Sequence, residues 1–165
     1  MLIPNNTKKA LSQFAQTVVR ESKSNVSKVS KKLYNSIDYD LRVHKQSFSL
    51  SFEMEEYGQY QDKGVSGTKK KYDTEYKYTT KRPPLAVFDK WIVKKKGIAP
   101  RDNKGKFQSR KSLQYLLSKS IFEQGIKPSL FFTKPFEKAF KDLDEEVIEA
   151  FALDTDKFLK QTLKK

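Results

Sequence analysis

The sequence predicts an α+β fold, a small antiparallel sheet with a hairpin, flanked by helices. Three observations predict it. Apolar residues recur with helical spacing towards both ends of the chain. Strict alternation replaces that spacing between Asp38 and Met54. Glycines and prolines punctuate the stretches that follow. At 165 residues the chain is expected to form a single domain with a core of its own. Hydrophobic residues make up only 36% of it while aromatics reach 13%, so Phe and Tyr must supply much of that core.

Residues 7–22, "TKKALSQFAQTVVRES", place Leu11, Phe14, Ala15, Val18 and Val19 on one helical face. Asn6 is the expected cap, with Pro4 just outside it. Val26, Val29, Leu33 and Ile37 then mark a shorter helical stripe. In the next stretch Tyr39, Leu41 and Val43 alternate with polar residues, and so do Phe48, Leu50, Phe52 and Met54. The short "HKQS" between the two runs makes an antiparallel hairpin the simplest connection. A second hairpin in "YDTEYKYTT" would bring the sheet to four strands.

Residues 62–84 and 97–108 read as long basic loops, the first of them mobile. Between them, Pro84 to Gly97 reads as a helix with Leu85, Phe88, Trp91 and Ile92 on its apolar face. Residues 109–125 read as another, with Leu113, Leu116, Leu117 and Ile121 facing inwards and Gly125 closing it. From Phe136 to about Leu163 a long terminal helix carries Phe136, Phe140, Leu143, Val147 and Phe151.

The absence of cysteine excludes disulfides, thiolate metal sites and thiol nucleophiles. The opening residues lack an apolar run after a basic start, and no segment approaches the length of a membrane span. The expectation is a soluble chain that stays inside the cell that makes it, unless it leaves within a particle. Net charge is +14, and it is unevenly spread. Lys63 to Lys111 holds 16 Lys and Arg against four acids, whereas "DLDEEVIE" (Asp142 to Glu149) is acidic. Such asymmetry suits a polyanion or oppositely charged faces that meet between copies.

Catalytic candidates are few. His44 is the only histidine and falls in the hairpin turn. Asp62 followed by Glu75 and Lys77 has the residue types of a small metal-dependent nuclease, an acid with an E-x-K. The competing reading is a charged hairpin. "GVSGTKK" lacks the spacing of a phosphate loop and reads as a turn. The run "KKKYDTEYKYTTKR" could hold nucleic acid nonspecifically, with Lys on phosphates and Tyr stacked on bases. The favoured reading of the same run is a solvated assembly loop that orders against an acidic neighbour. Candidate interface residues are Lys69, Lys70, Lys71, Tyr72, Lys77, Lys81, Arg82, Arg101, Lys104 and Lys106. In "GIKPSLFFTKPFEKAF", Pro128 should fix an extended turn, Phe131 and Phe132 should anchor it, and Pro135 should start the last helix. Phe136 and Phe140 should complete the core, and Trp91 should anchor the central helix.

The order of these pieces resembles the tail-completion, or tail-to-head joining, family of long-tailed bacteriophages and prophages. Leu33, Ser36 and Ile37 match the element before the first strand. Tyr57, Tyr60 and Gly64 match a Y-x-x-Y-x-x-x-G element, and Pro83, Pro84 and Trp91 match a proline-led tryptophan helix. Ile121, Gly125, Pro128, Phe131 and Phe132 match the family's ending. The very basic middle and the long last helix depart from the pattern. The resemblance implies a structural virion protein at the neck or upper tail, present in host cytoplasm during assembly. It implies a homo-oligomeric ring touching connector, tail-terminator or tail-tube proteins. It also implies no catalytic site, cofactor or metal.

Overall fold

The computed structural model describes residues 4–26, 31–44, 47–94, 101, 105 and 108–163, without the side chains of residues 90, 94, 161 and 163. The expected Val29, the Lys95–Gly97 helix end and most of residues 97–108 lie outside them. The fold is α+β. Its elements are α1 (Asn5–Asn25), α2 (Lys31–Ser36), β1 (Asp38–Val43), β2 (Phe48–Glu53), α3 (Tyr57–Lys63), α4 (Val87–Lys94), α5 (Arg110–Gln124) and α6 (Thr133–Leu163). The chain gathers into two compact units. One joins Met1–Gly58 to Leu130–Lys165, and the other is Gln59–Ser129.

In the first unit, α1 buries Thr7, Ala10, Phe14, Ala15, Val18, Val19 and Ser22, the periodic face expected of it. The strands pair antiparallel in the register their alternation demands. Tyr39 faces Phe52, Leu41 faces Leu50 and Val43 faces Phe48, with Val43 at the exposed end. Among the described residues the sheet has these two strands and not four. Leu33 and Ile37 are fully buried and cluster with Val19, Val26 and Phe131.

The phenylalanines concentrated near residue 132 now have a structural reason. Phe132, Phe136 and Phe140 lie four residues apart, so the start of α6 and the residue just before it stack them along one face. Phe136 also meets Phe14 at 5.8 Å and Phe52 at 5.9 Å, edge to face. Pro135 is buried, but the helix already begins at Thr133, two residues before it. Phe131 is 3% exposed. Phe140 meets Phe14 at 6.5 Å yet stays 47% exposed, at the edge of the core and not within it.

The second unit is built on α4 and α5. Asp89 joins them, accepting from Arg110 at 2.7 Å and from the Gln114 amide at 2.8 Å. Two expectations are corrected here. Phe88 is the buried residue of α4, while Trp91 is 37% exposed. On α5, Leu116 faces outwards and Ser118 is the buried residue, because its hydroxyl donates to the Pro83 carbonyl at 2.7 Å. A backbone that approaches this closely leaves room only for a small side chain. Among the described residues no helix is long and apolar enough to cross a membrane.

Candidate functional site

The segment after α3, expected to be mobile, is closely hydrogen-bonded. Ser66 is 4% exposed and organises it. Its amide donates to Tyr76 and its carbonyl accepts from Tyr78. Its hydroxyl accepts from the Tyr72 amide at 2.9 Å and lies 3.1 Å from the Tyr72 carbonyl, to which it donates. The expected second hairpin is replaced by two isolated bridges, Ser66 with Lys77 and Val65 with Ile126.

This loop also completes α5. A helix ends with carbonyls that lack partners within it. Thr68 donates its amide to Phe122, and Lys69 and Lys70 donate theirs to Glu123. "GVSGTKK" is thus a turn that closes a helix C-terminus. Its basic side chains sit at the negative end of the helix dipole, where cations are favoured.

The charge of the second unit is large. Residues 59–129 contain 18 Lys and Arg against six Asp and Glu, a net +12. A few cations are matched by acids. Lys69 meets Glu123 at 2.8 Å and holds that carboxyl below its ordinary range through the hydrogen bond. Lys63 meets Glu75 at 3.1 Å, which lowers the Glu75 carboxyl and raises the Lys63 ammonium. Others make contacts that leave their charge in place. Lys70 lies over the Tyr72 ring, and Lys71 donates to the Gly67 carbonyl. Arg82 lies over Tyr115 and Phe122 and donates to the Tyr115 hydroxyl, whose pKa the bond lowers. Lys77, Lys81 and Arg101 are exposed. Lys104 and Lys106 lie outside the described residues.

The nuclease candidates do not converge on an open carboxylate pair. Asp62 is 4% exposed, and the Glu75 carboxylate is taken by Lys63. Among the described residues no group of three or more His, Cys, Asp or Glu could hold a metal ion. His44 is exposed in the hairpin, its amide bonded to Ser47.

Sequence reasoning missed α3, Ser66, Ser118 and Asp154. A signal for α3 was present. Tyr57 and Tyr60 stand one helical turn apart, and Gly64 follows the last turn with φ 76°, the usual glycine stop. No family model, curated protein or solved structure matches the chain.

Proposed function

We propose that the chain is a structural protein of a tailed-bacteriophage particle, acting at the neck or upper tail in tail completion and head–tail joining. One observation carries this reading. Some of the residues that make the resemblance, far apart in the sequence, meet within each unit. In the first, Leu33, Ile37 and Phe131 share one buried cluster, with Tyr57 and Phe132 packed on it. In the second, a β-carbon at Gly64 would stand 2.7 Å from Pro128, and one at Gly125 would stand 2.1 Å from the Val65 carbonyl. Ordered motifs that interlock in space support a common architecture better than any one of them alone.

The test is quantitative mass spectrometry of purified particles from the source phage or induced prophage. The expected result is a low, fixed copy number beside portal and tail proteins. Absence from clean particles overturns the proposal.

The net +12 of the second unit favours a second reading, a nonspecific DNA-binding accessory protein. Binding to random duplex DNA would then weaken steeply and linearly on a log–log plot against salt. No measurable retention at low salt excludes it.

A further inference from the structure

A cavity of about 480 Å³ opens in the first unit, between α1 and the tyrosines of α2 and β1. Gln16, Val19, Arg20 and Lys23 stand three or four residues apart, so they line it along one strip of α1. Tyr34 and Tyr39 line it from the other elements, and the buried Val19 is its apolar floor. Tyr39 is held in place. It packs on the core cluster, its hydroxyl lies 3.1 Å from that of Ser12, and it accepts from the Gln16 amide at 3.3 Å. Tyr34 is 45% exposed, and the Lys23 ammonium lies over its ring, 5.7 Å from the centre.

The charge of this cavity is unbalanced. Arg20 and Lys23 line it, and among the described residues no acid does. Glu21, the one acid of α1, is turned to Lys138 of α6 at 3.4 Å. Arg20 also borders a second groove with Asp142 and Glu146, so Lys23 is the cation proper to this cavity.

We propose that the cavity binds a nucleotide unit, a base carrying a phosphate. Two cations without a carboxylate beside them favour an anion, but a bare inorganic anion makes no use of the tyrosines. A planar base on Tyr34 with its phosphate towards Lys23 uses both. The volume suits a single small ligand. The contact between Lys23 and Tyr34 does not stand in the way. A cation over an exposed ring is weakly held, whereas a phosphate offers the ammonium charge-assisted hydrogen bonds. Phosphate binding therefore draws Lys23 off Tyr34 and opens that ring face to the base. Gln16 donates its amide hydrogens to Ser12 and Tyr39, which leaves its carbonyl oxygen to accept from a base amino group.

This inference rests on neither the virion reading nor the DNA reading, whose basic unit is residues 59–129. The test is titration of the isotope-labelled full chain with adenosine monophosphate, read from amide chemical shifts. The amides from Gln16 to Ser24 and from Tyr34 to Tyr39 should shift. Adenosine and inorganic phosphate should each bind at least about tenfold more weakly. Tyr34→Ala and Lys23→Glu should each weaken binding by about tenfold with an unchanged circular dichroism spectrum, and Lys23→Arg should retain it. A short oligodeoxyadenylate then identifies the source of the unit. If it shifts the same amides, the ligand is a single strand; if only the mononucleotide does, it is a free nucleotide, and either result supports the site. No shifts at millimolar adenosine monophosphate, shifts confined to residues 59–129, phosphate binding as tightly as the nucleotide, or Tyr34→Ala binding as wild type does overturns the proposal.

Discussion

Asp154 caps α1 from α6: one of its carboxylate oxygens accepts both the Thr7 amide and the Thr7 hydroxyl, each at 2.9 Å. The other oxygen accepts the Asn6 amide at 3.1 Å and the Asn6 side chain at 2.8 Å. The first turn of α1 contains no acid, and Pro4 before it has no side-chain bond to offer. A residue about 150 positions away therefore supplies both the missing acceptors and the negative charge that a helix N-terminus favours. Asn6, expected as the cap, is itself one of the donors.

Asp154→Ala should lower stability by about 1 kcal/mol, as loss of an N-cap does. Desolvation alone would raise the Asp154 carboxyl, but the bonds from Thr7 and Asn6 outweigh it and hold the group below its ordinary value. A depressed folded pKa stabilises above the unfolded value of about 3.9 and is lost as pH falls through the folded one. The difference in Tm between wild type and Asp154→Ala should thus be full at pH 7 and shrink below about pH 4. A gap that stays constant down to pH 2 would show that the carboxylate's charge contributes nothing.

Local periodicity made α1 and the hairpin legible, because each turns one face inwards at a fixed spacing. The β2 pattern, with Phe48, Leu50 and Phe52 turned inwards, matches its sequence residue by residue. Legibility failed where the deciding contact is distant. Nothing near Ser118 announces that the Pro83 carbonyl will meet it, and nothing near Thr7 announces Asp154. In α6 the same periodicity runs on from Phe136, which packs on Phe14 and Phe52, to Phe151, which is exposed. Spacing alone cannot tell a covered stripe from an exposed one. The basic loop was misread for a related reason. Its order comes from Ser66 and from the end of α5, neither of which its composition reveals.

Gly125→Ala should cost at least about 2 kcal/mol. Its φ of 73° strains any side chain, and the new β-carbon would stand 2.1 Å from the Val65 carbonyl. Gly105→Ala is the control. Its φ is 78°, but nothing lies within 4 Å, so only the backbone strain of about 1 kcal/mol should appear. Equal losses in chemical denaturation would mean that the close approach at Gly125 relaxes freely.

Phe136→Ala should cost about 3 kcal/mol, since the ring touches those of Phe14, Phe52, Phe132 and Phe140. Phe151→Ala, on the uncovered side of the same helix, should leave the stability of the monomer within about 0.5 kcal/mol of wild type. The comparison is made by urea unfolding at dilution, where association does not contribute. A large loss at Phe151 under those conditions would place that ring in the core after all.

Ser66→Ala should loosen one part of the basic loop and spare another. The hydroxyl holds both polar groups of Tyr72, while the Ser66 backbone holds Tyr76 and Tyr78 independently of the side chain. Removing the hydroxyl leaves the Tyr72 amide without its acceptor at a cost of about 1–2 kcal/mol. Local opening exposes that amide without unfolding the unit. Hydrogen exchange at Tyr72 should therefore quicken by roughly tenfold. Exchange at Tyr78, whose acceptor is the Ser66 carbonyl, should not change. If both amides quicken together, the loop opens as a single body and the serine hydroxyl holds all of it. If neither does, the backbone bonds alone set the conformation of the lysine-bearing turn from Lys69 to Lys71.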